Sequence, residues 1–308
     1  MSPPAFVPSL RVVVLFACCA LCEWQCQTVA HVAPNDTDTR FGAYWHDGKA
    51  ELSSYTLTQA RYREMHEGEA VLVFVTEPFS KRKQVKLDFP DKAGNDAVEV
   101  MKLNLTRKFT TGIYPYSMLT SVFTPVQPSA SELHPPNSIK TTMTMQEWCG
   151  NVFMQVSKRG GAYEVQGFSY FETEGDTRTT LPTGVYLEDE IFTLIRLHPD
   201  RLPLGNIRVL PALTFLRLNH RSAQVVEAIA TRTEQHDTCT YTLTTAERRL
   251  DIHFIKAFPY TIEGWEETYS DFGRVLTTRA TRKKTIRLDY WMRHTNDDRR
   301  YRDSLGLH

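Results

Sequence analysis

Ala70-Val71-Leu72-Val73-Phe74-Val75 is an unbroken apolar run that Glu77-Pro78 closes. It is short and rich in β-branched and aromatic side chains, so it reads as a strand buried on both faces. Outward from it the chain changes to two-residue alternation. Tyr55 and Leu57 alternate with Thr56 and Thr58 on one side; Val85, Leu87 and Phe89, then Met101, Leu103 and Leu105, follow on the other. His66-Glu67-Gly68-Glu69 supplies a glycine and is expected to turn the chain between the first two strands. The preceding stretch, Gln59 to Met65, is read as strand leading into that turn.

The same pattern continues downstream. Val152, Met154 and Val156 form a strand closed by Lys158-Arg159-Gly160-Gly161, and Tyr163, Val165, Phe168 and Tyr170 resume beyond it. Residues 223–233, 239–244 and 250–255 read as a meander, and Val275 to Ala280 and Thr285 to Trp291 as two more strands. One segment departs from this. Leu187, Ile191, Leu194 and Ile195 have helical spacing, Glu188, Asp189 and Glu190 fill the first turn, and His198-Pro199-Asp200 ends it. The fold class is mainly β: a large curved antiparallel sheet, half-barrel or barrel, with one or two short helices. Pro125 to Ser138 is a proline-rich loop and a candidate internal boundary. No composition shift accompanies it, so 41–308 is read as a single β-rich domain ending in a surface tail, Tyr301 to His308.

The N-terminal residues carry an address. Arg11 precedes Val12-Val13-Val14-Leu15-Phe16-Ala17, and Cys18-Cys19-Ala20-Leu21-Cys22 follows. A cation followed by a short apolar run is an export-signal pattern, too short to span a bilayer. Residues 1–17 are therefore read as a signal peptide and 18–40 as a tether. Cys18 is the candidate lipid anchor, which would hold the protein on a membrane surface of the cell envelope. The alternative is cleavage near Thr28-Val29-Ala30, releasing a soluble secreted protein. The 36 basic and 36 acidic residues cancel, which gives no electrostatic case for nucleic acid. Beyond the leader only Cys149 and Cys239 remain; a disulfide or two buried thiols are both open readings. No zinc, P-loop, dinucleotide or Gly-x-Ser-x-Gly motif is present, and no cofactor is expected.

Three clusters carry candidate chemistry. Tyr44-Trp45-His46-Asp47 holds two aromatics and a His–Asp neighbour pair, usable for acid–base work or as a turn with packing aromatics. Glu147 beside Trp148 and Cys149 resembles Glu263-Gly264-Trp265-Glu266; Glu147 with Glu263 or Glu266 would be the paired carboxylates of a glycan hydrolase. Tyr114 and Tyr116 offer a stacking surface for sugar or lipid.

The strings Tyr44-Trp45-His46-Asp47-Gly48-Lys49-Ala50-Glu51, Thr111-Gly112-Ile113-Tyr114-Pro115-Tyr116, Gln146-Glu147-Trp148-Cys149-Gly150 and Arg302-Asp303-Ser304-Leu305-Gly306-Leu307 bear a family likeness. With them the chain resembles a family of bacterial envelope lipoproteins whose members often carry the label "septum formation inhibitor Maf". The resemblance implies a fold and an envelope location, with no established catalytic residues. True Maf proteins are cytoplasmic nucleotide pyrophosphatases with a Ser-x-Arg-Arg motif near the start, whereas this chain starts with an export signal. The expectation is a non-catalytic binding or assembly role toward an apolar or amphipathic ligand or a partner protein. The alternative is the envelope glycan hydrolase.

Overall fold

The computed structural model describes residues 36–127, 138–182 and 184–307. The export segment, Cys18 and most of the proline-rich stretch lie outside the described residues. Eight strands follow one another as hairpins: β1 (Ala50–Arg61), β2 (Glu64–Ser80), β3 (Ala97–Thr111), β4 (Tyr114–Pro125), β5 (Lys140–Glu147), β6 (Gly150–Arg159), β7 (Ala162–Ser169) and β8 (Asp176–Pro182). Then come β9 (Tyr186–Leu187), β10 (Gly205–Leu210), β11 (Val226–Gln235), β12 (Thr238–Thr244), β13 (Arg248–Ile255), β14 (Ile262–Asp271) and β15 (Arg274–Leu288).

All fifteen belong to one sheet, ordered β8 back to β1 and then β15 back to β9. Every neighbouring pair is antiparallel except β9 with β10. The two edge strands, β8 and β9, are consecutive in the chain and joined only by residues 183–185. Such a link holds the two edges within about 14 Å at that end, so the sheet curls most of the way to a barrel. Antiparallel alternation puts the turns at 62–63, 112–113, 148–149, 170–175, 245–247 and 272–273 at one end, called the rim. The opposite end is the base.

The concave face is filled, not hollow. A 3-10 turn (Glu188–Glu190), helix α2 (Ile191–Leu197) and helix α3 (Leu213–Leu218) enter it, and every residue of both helices is buried. Ile191, Phe192, Leu194 and Ile195 pack with Leu72, Phe74, Leu105 and Trp265 in the main core. Glu190 closes the first turn by accepting the Leu187 N–H at 2.9 Å. Helix α1 (Asp36–Trp45) seals the base, with Trp45 packed edge-on to Phe74. Helix α4 (Arg300–Ser304) delivers Leu305 and Leu307 onto the convex face, against Ala50, Leu52 and Val75. That cover is why the Ala70–Val75 run is apolar on both sides. Among the described residues the packed clusters extend from Phe41 to Leu307, so this stretch carries a core of its own.

The β class, the single sheet and the helix after Leu187 agree with the sequence reading; several local expectations do not. The β1–β2 turn is Tyr62-Arg63, and 66–69 lies inside β2. Gly68 serves a close approach: a Cβ there would stand 2.3 Å from the Lys108 carbonyl oxygen on β3. Residues 275–288 belong to one long strand, and Trp291 falls in a separate 3-10 turn. The described residues hold four short α-helices, not one or two, and the first starts inside the expected tether. The C-terminal tail is packed through its two leucines. Cys239 is buried and Cys149 exposed, and both are free thiols.

Candidate functional site

The helical plug is tied to the sheet by buried charge. Arg196 of α2 is clamped by Glu51 of β1 through two bonds of 2.5 and 2.6 Å, and Tyr44 donates to the same carboxylate at 2.5 Å. Nearer the rim, Glu267 of β14 accepts from Arg107 at 2.6 Å and lies 3.1 Å from Arg248, which also donates to Glu188 of the plug. Burial alone would raise Glu267, but Arg107 and Arg248 outweigh it and hold its carboxyl down at about 2. Asp189 beside them has no such cation pair. Burial, with the Glu188 carboxylate adding to it, pushes its carboxyl up to about 7 against a 3.0 Å hydrogen bond from the Leu213 N–H. These carboxylates are either neutralised or enclosed, which suits anchoring more than chemistry on a substrate.

The rim carries a row of aromatic rings. Phe272 lies 6.2 Å from Tyr62, and Tyr114 lies 6.4 Å from Trp148. Between them, Tyr114 donates to the Tyr62 hydroxyl at 3.3 Å, and Tyr116 shares a 2.9 Å bond with it. Arg61 also donates to that hydroxyl at 3.3 Å. Burial raises Tyr62, but these hydrogen bonds and the guanidinium prevail and lower its pKa. Tyr170 continues the row by lying over Gly150, where a Cβ would meet its ring at 2.6 Å. Tyr62, Arg63 and Phe272 all hold left-handed backbone, with φ of 55°, 65° and 47°.

Beside this row the sheet has a seam. Toward the rim, β8 and the segment following α3 leave a cleft of about 560 Å³ between them. Val152, Met154, Val165 and Leu216 form its apolar wall, and Glu174, Arg217 and His220 its polar end. Glu174 accepts from Arg217 at 2.7 Å, and its carboxylate lies 2.7 Å from His220 Nδ1. The Arg217 side chain is 2% exposed and stacks over Phe171 with its guanidinium carbon 4.4 Å from the ring centroid. Burial, helped by the nearby Arg61, pulls its pKa below the ordinary value. Its Nε–H has no acceptor among the described residues. An apolar wall ending in the charged cluster of Glu174, Arg217 and His220 suits an amphipathic molecule whose polar head meets that cluster.

The residues singled out in the sequence are dispersed by the fold. Glu147 is buried near the rim and accepts the Cys149 N–H at 2.6 Å. Glu263 pairs with Arg282 at 2.7 Å near the base, and Glu266 pairs with Arg279 on the opposite face of β14 from buried Trp265 and Glu267. Eight residues of strand separate Glu263 from the rim, about 25 Å. The paired-carboxylate arrangement is therefore not formed. Trp148 projects from the rim while Trp265 is core, so the two do not share a cavity. Trp45 is core as well, packed against the sheet at its base. His46 lies 2.8 Å from Glu99 while Asp47 pairs with Arg287 at 2.5 Å, so His46–Asp47 is no acid–base dyad. Tyr114 and Tyr116 do come together, with Tyr62, which the sequence reading passed over. Glu174, Arg217 and His220 were also not singled out; an arginine inside the apolar run Leu213–Leu218 was the available signal.

Compared with known proteins, the chain matches no family model, no curated protein sequence and no solved structure.

Proposed function

We propose that this chain is an exported, lipid-anchored envelope protein that binds an amphipathic ligand, without catalysis, in the seam cleft. The observation that carries the reading is the cleft itself: an apolar wall leading to the charged cluster of Glu174, Arg217 and His220. The cleft volume lies within the usual range for small-molecule sites. The leader ending in Ala17-Cys18, and the resemblance to envelope lipoproteins, support the location and the anchor.

Calorimetric titration with laurate, an acyl chain bearing one carboxylate, tests the cleft. The unaltered chain should bind it, and Ser222→Trp, which places an indole in the exposed wall, should abolish the heat. No binding by the unaltered chain, or unchanged binding by Ser222→Trp, contradicts the reading. Mass spectrometry of the mature N-terminus tests the anchor: acylated Cys18 is expected, and an unmodified N-terminus beyond Ala30 contradicts it.

A further inference from the structure

The exposed apolar residues of the rim form a pattern that the cleft does not account for. Ile113 is 80% exposed, Val275 70%, Trp148 69% and Phe272 58%, and Tyr62 and Tyr170 stand with them. They occupy the tips of separate hairpins at one end of the sheet, and ring contacts link Phe272 to Tyr62 and Tyr114 to Trp148. The base exposes apolar residues too, such as Phe89 and Met292, but on unrelated loops.

The backbone supplies a second observation. Two-residue hairpin turns favour Asn-Gly because both central residues need positive φ. Here Tyr62-Arg63 takes that turn, and Phe272 precedes Gly273 in the next one, all three non-glycine residues in left-handed conformation. Such backbone costs about 1 kcal/mol or more per residue, and it persists where the side chain is wanted at that point. Gln84, His220, His236 and Tyr260 share this conformation elsewhere, but at the rim two of the three such residues, Tyr62 and Phe272, hold exposed rings at hairpin tips.

We propose that this rim is a membrane-contact face that inserts its tips into the interfacial layer of a lipid bilayer. The chemistry favours lipid over a glycan. Ile113, Val275 and Phe272 offer no hydrogen bond to a sugar, whereas aliphatic tips backed by Tyr and Trp match the apolar-to-polar gradient of a bilayer interface. Guanidinium groups stand at the same tips: Arg63 donates to the Phe272 carbonyl at 2.9 Å, and Arg274 donates to the Arg63 carbonyl at 3.0 Å, both exposed near the phosphate level. Protrusions on independent hairpins fit a fluid surface better than a rigid complementary one. An anchor at Cys18 leaves this geometry free, since residues 19–35 reach about 60 Å when extended, more than the roughly 40 Å length of β1. The contact is independent of the cleft.

Flotation of residues 36–308 with phosphatidylcholine vesicles, alone or containing phosphatidylglycerol, tests the proposal. The chain should float, and more strongly with phosphatidylglycerol. Ile113→Ser/Trp148→Ser/Phe272→Ser should weaken partition by about tenfold or more. The base control Val85→Ser/Phe89→Ser/Met292→Ser should partition like the parent, and so should Ser222→Trp. Quenching by lipids brominated on their acyl chains reads the same contact without disturbing the tips: it should be strong in the parent and largely lost in Trp148→Phe. Absence of flotation, equal loss in both triple variants, or sedimentation with insoluble peptidoglycan in place of flotation would overturn it.

Discussion

Asp189→Asn should make the protein more stable at neutral and alkaline pH and leave it nearly unchanged in acid. The carboxyl is ordinarily near 3.8 and is pushed up to about 7 here, chiefly by burial. A raised acid pKa means that the folded state holds its proton more tightly than the unfolded chain. The stability linked to this group is therefore complete below about pH 3.8, declines between there and about pH 7, and is gone above it. Three pH units correspond to about 4 kcal/mol. The side chain keeps some contact with solvent, which makes that figure an upper bound. Asparagine retains an oxygen to accept the Leu213 N–H, and it has no proton to lose. Glu188 also has its pKa raised by burial, and Glu267 has its own lowered, so the pH profile of either protein alone mixes several groups. The difference between the two profiles isolates Asp189. Urea unfolding of both proteins at a series of pH values should show curves that coincide near pH 4 and separate by about 2–4 kcal/mol by pH 8. Parallel profiles, or a variant equally destabilised at every pH, would refute the reasoning.

Further outcomes follow from the packing. Arg196→Met leaves Glu51 charged and enclosed, and should cost about 3–5 kcal/mol in urea unfolding; adding Glu51→Gln should recover much of that. A single-variant loss below about 1 kcal/mol would mean the clamp is not formed in solution. Gly68→Ala should cost about 1–3 kcal/mol and speed amide exchange along the β2–β3 ladder, because its Cβ meets a backbone oxygen. The same change at Gly42, whose nearest neighbour is a movable His46 ring, should be neutral or stabilising. Leu305→Ala should cost about 2 kcal/mol or more by urea unfolding, while a free surface tail would leave stability unchanged.

Period and turn chemistry made the sheet legible. Met101 to Leu105 and Val152 to Val156 lie where the pattern puts them, whereas Val85, Leu87 and Phe89 alternate as cleanly yet lie in the connection between β2 and β3. The errors arise where one residue type serves two physical purposes. Gly68 reads as a turn residue, yet it is a point of close backbone approach, and only the neighbouring strand reveals which. The real turn at Tyr62-Arg63 has none of the residues that turns favour, so no propensity rule finds it. The C-terminal segment was illegible for a similar reason: Leu305 and Leu307 stand among polar and glycine neighbours, and their burial depends on partners far away in sequence. The site was less legible still. Glu174 lies more than forty residues before Arg217, and a cleft between a strand edge and a loop has no linear motif. The glutamate–tryptophan clusters looked alike because local composition carries no information on which end of a strand a residue occupies.

The central claim is that an amphipathic ligand enters the seam cleft, and photocrosslinking tests it most directly. A medium-chain fatty acid with a diazirine on its acyl chain, irradiated with the protein and mapped by mass spectrometry, reports where the chain lies. Adducts on the peptides carrying Val152, Met154 and Leu216, competed away by laurate and absent in Ser222→Trp, are the result predicted. Adducts confined to the rim peptides carrying Trp148 and Phe272, with the cleft unlabelled, would contradict it.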